Sequence, residues 1–411
     1  MGKQYTIEKI DHQGRGIIKD NGVIIFAQNA LPGETVEIEI IKEKRHFKEA
    51  QVVAYHKKSS NRIPAHCPYY NACGGCHIMH LSYQMQLEWK MEKIREIMTK
   101  FYSGFAFPIC RIIESEEWNY RNKATFQVKQ KLGYFEQKSN AIVPVDHCDL
   151  VDPKIGNLLP IIAKLNIDDC SQIVIRASKN TNQTMITFIG KNLDKGEIIN
   201  HLSPYVNSIY LKERGLECIY GSPYMEEKIG NFLFKISPDS FFQVNTNQAK
   251  KLYDTVLRYA DVDKEDSVLD LYCGTGTIGL YVSPHCHKVL GVEINEQAII
   301  DANENKRVNG VNNIEFICGD VSTMVDKIKE EYHVVIVDPP RSGLDEKTLS
   351  YLKNCKAKRI VYVSCDPITL ARDLNQIKEI YCVEELTPVD MFPQTYHVEC
   401  VALLSLKSVD K

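Results

Sequence analysis

The sequence predicts an α/β protein whose C-terminal part is a doubly wound parallel sheet, preceded by a small β-barrel and an α+β middle segment. Three observations carry this. From residue 234 onward, the apolar runs "SVLDLYC", "KVLGVEI", "IEFICGD", "HVVIVDPP" and "RIVYVSC" alternate with helical segments, the pattern of a sheet covered on both faces by helices. Residues 1–56 alternate apolar and polar positions instead, with Asn21-Gly22 as a hairpin signal between "GIIK" and "VIIF". Residues 62–233 mix one long helical pattern with strand-like runs such as "KATFQVKQKLGYF" and "QTMITFIG".

In the first segment, Val36, Ile38 and Ile40 should share one face of a half-buried strand and Glu37 and Glu39 the other. The basic stretch from His56 to Pro64 reads as a linker. In "SYQMQLEWKMEKIREIMTKF", Leu87, Met91, Ile94 and Met98 recur at helical spacing and form a packing face. That helix, 83–100, is expected to pack on the C-terminal domain.

The chain has 411 residues, enough for two or three cores, and a formal net charge of −3, which excludes a wholly basic nucleic-acid binder and leaves room for a local basic face. No apolar run is long enough to span a membrane and the N-terminus lacks a signal-peptide core, so a cytoplasmic location is expected. In a reducing compartment its 14 cysteines point to metal ligation or catalysis over disulfides.

"VLDLYCGTGTIGL" runs a buried strand through Asp270 and Tyr272 into Gly274, Gly276 and a helix. A glycine-rich turn alone fits a dinucleotide equally well. Glu293 ends the next strand about 20 residues on, where a carboxylate accepts ribose hydroxyls. Asp320 closes the third strand, placed to meet an adenine, and Asp338 opens "DPPR" at the end of the fourth. This order resembles the class I S-adenosylmethionine-dependent methyltransferases, a Rossmann-like fold. Aminomethyltransferases carry an aromatic after the Pro-Pro to stack the target base; here Arg341 stands there, which weighs against N-methylation.

Attention passes to Cys365 in "YVSCDPITLARD". Proline cannot continue a central strand, so this cysteine should sit where the backbone leaves the sheet, at the ligand-binding edge. Carbon 5 of uracil is too poor in electrons to take a methyl group unaided. A thiolate adding to carbon 6 makes it nucleophilic, and a base must then remove the carbon 5 proton. Glu399 in "FPQTYHVECVALLSL" is the candidate base, with His397 expected on the same face by period 2.

With these motifs the sequence resembles the RNA (uracil-5-)-methyltransferases. The nucleophile motif appears as "SCDPITLARD" and the base motif as "FPQTYHVE", which implies the roles of Cys365 and Glu399. "FFQVNT" matches a further family motif, and the family's cofactor contacts map to Gln243, Tyr272, Glu293 and Asp338. The barrel looks like a TRAM domain, an RNA-binding OB-type fold ending in "LPGE". One departure is Cys400, where threonine or valine is common after the base.

"HCPYYNACGGCHIMH" spaces Cys67, Cys73 and Cys76 as C-x5-C-x2-C, and Cys148 stands in "PVDHCDL". Spacing alone leaves zinc and an iron-sulfur cluster both open. The resemblance to the iron-sulfur branch of the family implies that these four hold a 4Fe-4S cluster in the middle domain. It also implies a 23S rRNA substrate, with a tRNA T-loop uridine as the alternative, a binding-only assembly factor as a second class and a radical methylase as a third. The usual radical-enzyme spacing C-x3-C-x2-C is absent. The expected partner is RNA, with no DNA and no membrane, and a monomer is expected. Arg15, Lys42, Lys44, Arg45, Arg121 and Lys123 are candidate phosphate contacts. Phe241 and Phe242 either line the pocket of a flipped uracil or pack in the core. The resulting division is a TRAM-like barrel at 1–56, an iron-sulfur domain at 62–233 and a catalytic domain at 234–411.

Overall fold

The structure is a computed structural model that describes residues 3–137 and 139–407. Two compact units emerge. One comprises Met1–Lys93, Tyr134–Val143 and Phe392–Tyr396; the other Ile94–Gly133, Pro144–Met391 and His397–Lys411.

In the first unit the expected barrel is a six-stranded sheet built from residues Gln4–Thr6, Lys9–Ile10, Gly16–Asp20, Val23–Gln28, Thr35–Glu43 and Phe47–Lys57. Asn21 and Gly22 turn the hairpin with φ of 50° and 82°, the left-handed pair that suits the strand twist. Ile7, Ile18, Ile25, Ala27, Val36 and Ala50 fill the core. The alternation expected along Val36–Ile40 holds only in part. Val36 is buried and Ile38 packs against the core, whereas Ile40 is 41% exposed. Register shifts beside Val36, Ile38 and Ile40 rotate the strand and break the period of two.

The stretch expected to be a linker is tied down. His56 and Lys57 still belong to the last strand, and Arg62 reaches Glu34, whose side chain has no exposure. Arg62 Nε donates to Oε1 at 2.5 Å and an Nη to Oε2 at 2.7 Å, while Leu31 and Ser59 donate backbone N–H groups to the same carboxylate. Gly33, at φ 80°, makes the turn that sends Glu34 inward, which accounts physically for "LPGE".

The helix spans Tyr83–Phe101, with Leu87, Ile94, Ile97 and Met98 buried and Met91 only half-buried. Its face carries polar groups as well: Gln86, Lys90 and Lys93 are also buried. Among the described residues no helix is long and apolar enough to cross a membrane.

The second unit holds a mixed sheet in which Lys123–Lys129, Cys170–Ala177, Thr184–Gly190, Ser208–Lys212 and Leu216–Gly221 lie side by side in that order. It also holds a seven-stranded sheet of β1 (Ser267–Leu271), β2 (Lys288–Glu293), β3 (Ile314–Cys318), β4 (Val334–Val337), β5 (Arg359–Ser364), β6 (Tyr381–Val389) and β7 (Glu399–Leu406). Helix α1 (Thr246–Ala260) leads into the sheet, and α2 (Thr277–Val282), α3 (Glu296–Val308), α4 (Val321–Met324), α5 (Glu346–Asn354) and α6 (Pro367–Ile377) alternate with its strands. The strand order is β3-β2-β1-β4-β5-β7-β6. The five runs expected to be parallel are so, with β1 at the point where the order reverses. To these five parallel strands the fold adds β7, which inserts antiparallel between β5 and β6.

Breaking the buried Arg62–Glu34 pair leaves one charge without its partner. Glu34→Ala should therefore destabilise the first unit by about 3–5 kcal/mol, read as loss of the earliest transition in urea unfolding of the full chain.

Candidate active site

The C-terminal ends of β1, β2, β4 and β5 build the site, and each turn has a local cause. After β1, Tyr272 adopts φ 64°, Gly274 φ 54° and Gly276 φ 76°. A Cβ on Gly276 would lie 2.5 Å from the Phe316 ring, so this turn must be glycine; a Cβ on Gly274 would meet nothing within 4 Å, because that glycine faces open space. Glu293, at the end of β2, accepts the Gly274 N–H at 3.1 Å and the Asn295 N–H at 2.8 Å, one on each oxygen. Each oxygen keeps a lone pair for a further donor. Asp320 lies exposed after β3 and caps α4, accepting the Ser322 N–H. The Tyr272 hydroxyl meets Asp345 and Thr348 at 3.3 and 3.2 Å.

"FFQVNT" is pinned from both sides. Arg176, nearly fully buried, donates to the carbonyls of Pro238 and Ser240, and Asn122 Nδ2 donates to the Gln243 carbonyl at 2.9 Å. Asn245 then caps α1, accepting the Gln248 N–H. The two phenylalanines divide: Phe242 is buried against Phe234, whereas Phe241 is 69% exposed. Core packing is thus the answer for Phe242 only.

The "SCDP" stretch is a strand end turned directly into a helix. Asp366 caps α6 by accepting the Ile368 and Thr369 N–H groups, Pro367 takes the first helical position, and Ser364 Oγ donates to the Asp366 carbonyl. Cys365 is left half-buried at the crevice edge. The β5–β7 register pairs Ser364 with Cys400. Cys365 and Glu399 are the next residues along the two chains, and the Glu399 carboxylate is near enough to act on the thiol. Glu399 is 5% exposed and begins β7. His397 lies before the strand, so the period-2 argument that paired it with Glu399 does not apply.

Carboxylates dominate the electrostatics. Burial pushes Glu399 up to about 8, with Asp338 adding to the rise and Arg341 opposing it. Burial, then Glu399 and Asp338, push the Cys365 thiol up to about 11, again against Arg341. Asp338 is held up at about 7 by burial. Asp270 is buried in β1 and rises to about 8 through burial and the nearby Asp338. Neither Asp270 oxygen has a hydrogen-bond partner among the described residues. A cationic sulfonium nucleoside fits this crevice: Asp270 and Asp338 are buried carboxyl groups that a bound cation would draw into their charged form, Glu293 offers acceptors for a ribose, and Gly274 leaves room.

Sequence reasoning missed two contributors. Arg341 is the cation facing both Cys365 and Glu399, and its loop is held by "ARD". Asp373, with no exposure, accepts the Tyr362 hydroxyl at 2.7 Å and the Leu344 N–H at 2.8 Å, while Arg372 donates to the Ser342 carbonyl. A Cβ on Gly343 would lie 2.5 Å from both side chains. The signal was present in the juxtaposed "DPPRSG" and "ARD" motifs.

The proposed RNA cations differ in placement. Arg15 is paired with Asp11 at 2.6 Å and stacked over Phe26, so it serves the barrel. Arg121 donates to the Lys123 carbonyl, and Lys123 is lowered to about 8 by burial, Arg176 and Arg121. Lys42, Lys44 and Arg45 are exposed. Cys67, Cys73 and Cys76 are half-buried in the first unit; Cys148 is half-buried in the second. Among the described residues no group of three or more His, Cys, Asp or Glu side chains is arranged to hold a metal ion.

Residues 219–407 match the tRNA (uracil-5-)-methyltransferase family model and residues 6–53 the TRAM domain. An uncharacterized RNA methyltransferase of Oceanobacillus iheyensis is 36% identical over 98% of this chain and 96% of its own. The chain belongs to the RNA (uracil-5-)-methyltransferase family. Another uncharacterized RNA methyltransferase, from Staphylococcus aureus, is 35% identical over 98% of both chains. The solved Pyrococcus abyssi tRNA (uracil-54, C5)-methyltransferase, in complex with S-adenosyl-L-homocysteine, is 26% identical with a TM-score of 0.82, covering 98% of this chain and 100% of that one. The second unit of this methyltransferase carries the class I S-adenosylmethionine-dependent fold, and its activity is methylation of RNA uracil at carbon 5.

The raised carboxylates fix the direction of a stability change. Asp270 ionises near pH 4 when unfolded and near 8 when folded, so its contribution is full below pH 4 and is lost as pH rises to about 8. Asp270→Asn should raise the melting temperature of the ligand-free protein at pH 8 and leave it unchanged at pH 4.

Proposed function

We propose that this protein methylates carbon 5 of a specific uridine in 23S rRNA, with Cys365 as nucleophile and Glu399 as general base. The observation that supports the reading is the β5–β7 register: its terminal pair is Ser364 with Cys400, and Cys365 and Glu399 are the next residues along the two chains. Gln243, Tyr272, Gly274, Gly276, Glu293, Asp320 and Asp338 hold S-adenosylmethionine, which when bound supplies an electrophilic methyl group. Cys365 Sγ gives its proton to solvent and bonds to carbon 6 of the flipped uracil, while the carbon 5–carbon 6 π electrons move into an enolate on the carbon 4 oxygen. Arg341 offsets the negative charge that develops beside Glu399 and Asp338. Once carbon 5 carries the methyl group, Glu399 removes the proton at that carbon; the carbon 5–carbon 6 double bond reforms and the sulfur leaves as thiolate.

Residues 1–56 and 62–233 bind RNA in this proposal, residues 234–411 catalyse, and the protein works in the cytoplasm as a monomer. Cys67, Cys73, Cys76 and Cys148 are assigned to a 4Fe-4S cluster on their spacing and the family resemblance; no step of the reaction passes through it. Anaerobic purification followed by iron and sulfide analysis tests that assignment, with Cys73→Ser expected to lose the iron. The tRNA alternative has its own support in the Pyrococcus relative, which modifies tRNA uridine 54.

Purified protein given labelled S-adenosylmethionine should label unmodified 23S rRNA as 5-methyluridine and leave tRNA unlabelled; label in tRNA alone replaces the substrate and keeps the chemistry. Cys365→Ala should abolish labelling. Glu399→Gln should instead stop after methyl transfer, accumulating a methylated RNA–protein adduct that survives denaturing electrophoresis. The wild-type rate should climb as pH rises through about 8, where Glu399 ionises, and a flat profile from pH 6.5 to 9 would remove Glu399 from its role.

A further inference from the structure

The first unit contains a cleft of 410 Å³ that the chemistry above does not use. Its walls come from the barrel, from the loop that carries Cys73 and Cys76, from the hairpin segment 134–137 and from Tyr396. Four carboxamides, Gln13, Gln28, Asn29 and Gln137, converge on it. Tyr134, Phe135 and Tyr396 also line it; Phe135 is 42% exposed, and the Tyr396 ring lies 4.4 Å from that of His77.

The cleft is rigidly framed. Gly74 N–H donates to the Phe135 carbonyl at 2.9 Å, Gln137 N–H to the Ala72 carbonyl at 3.1 Å, and His77 N–H to the Gln394 carbonyl at 2.9 Å. Gly14 lets the barrel loop approach: a Cβ there would lie 2.5 Å from Ile78 Cγ2. Two of the carboxamides are oriented in advance, Asn29 Nδ2 donating to Asn71 Oδ1 and Gln137 Nε2 to the Cys76 carbonyl. The cation in the wall, Arg15, is neutralised by Asp11 at 2.6 Å and Glu49 at 3.6 Å. This is a poor setting for a phosphate. Glu136, an exposed carboxylate that accepts from Ser139 Oγ, lines the cleft too and further disfavours a phosphate. Amides beside the exposed Phe135 ring suit a flat, uncharged heterocycle that stacks on one side and presents donors and acceptors along its edge.

We infer that this cleft binds one unpaired nucleobase of the substrate RNA, a second recognition point separate from the target uracil. The inference rests on the RNA-methylating reading of the site above. An unpaired base held here fixes which stem-loop can present its uridine, so the cleft contributes to substrate choice.

The test uses the full-length protein and fragments of the RNA it methylates, each carrying a single abasic nucleotide near the modified uridine. At one position the missing base should lower kcat/KM of the wild type on the order of tenfold, the usual size for one stacked base. Phe135→Ala and Gln28→Ala should be slower than wild type on intact RNA and should lose little more at that same position. Phe135→Leu, which keeps bulk and removes the ring, should behave like Phe135→Ala, and unchanged melting temperatures separate this from misfolding. Losses that multiply at every position, or variants as fast as the wild type, overturn the cleft and leave RNA methylation standing. A wild type that methylates no RNA overturns the reading beneath it and the cleft together.

Discussion

The antiparallel register between β5 and β7 is the constraint on which the proposed chemistry depends. A strand's side chains alternate between faces, so a slip of one residue would carry Glu399 to the opposite side of the sheet from Cys365. The register is secured because β7 is no edge strand. It bonds to β5 on one side and β6 on the other, and Cys400, Val401, Ala402 and Leu404 are buried. A parallel strand in this slot would begin at the far end of the sheet. Reversal lets the chain deliver Glu399 at the first residue of β7, where β5 has just ended.

The same crevice concentrates Asp270, Asp338 and Glu399, all raised by burial, with Arg341 the cation that opposes Glu399. Such a grouping disfavours the folded state at neutral pH. It is tolerable because the surrounding frame is rigid: the Tyr362–Asp373–Arg372 network holds the loop that carries Arg341, and two capped helices hold the strand ends. A cation bound beside Asp270 and Asp338 would draw these buried carboxyl groups into their charged forms, so the proposed affinity for a positively charged methyl donor and the stability of the ligand-free fold are opposed quantities.

Much of this was legible in residues. Five strands, the Asn21-Gly22 hairpin and the strand-end position of Cys365 follow from apolar runs and from proline and glycine chemistry, which act locally. What escaped depends on pairing. The direction of β7 leaves no trace in "VECVALLSL", since an apolar run reads alike in either sense. The exposure of Ile40 comes from register shifts that need a partner strand to exist. The anchoring of residues 56–64 comes from Arg62 meeting a carboxylate far back in the chain, and composition alone made that stretch look like a tether. Phe241 and Phe242 are neighbours with opposite fates, decided by which way a pinned loop faces.

The buried polar face of helix Tyr83–Phe101 explains how the segment before the proposed base is held. Lys90 Nζ donates to the Phe392 carbonyl at 3.1 Å and Lys93 Nζ to the Tyr396 carbonyl at 2.8 Å, while Gln86 and Gln394 exchange two hydrogen bonds. Burying a lysine is costly unless its ammonium is hydrogen-bonded. Apolar side chains at 86, 90 and 93 would fill a helix groove equally well, but they would leave the carbonyls of Phe392 and Tyr396 without these donors. The polar choice therefore favours a fixed backbone at Phe392–Tyr396 over maximal stability.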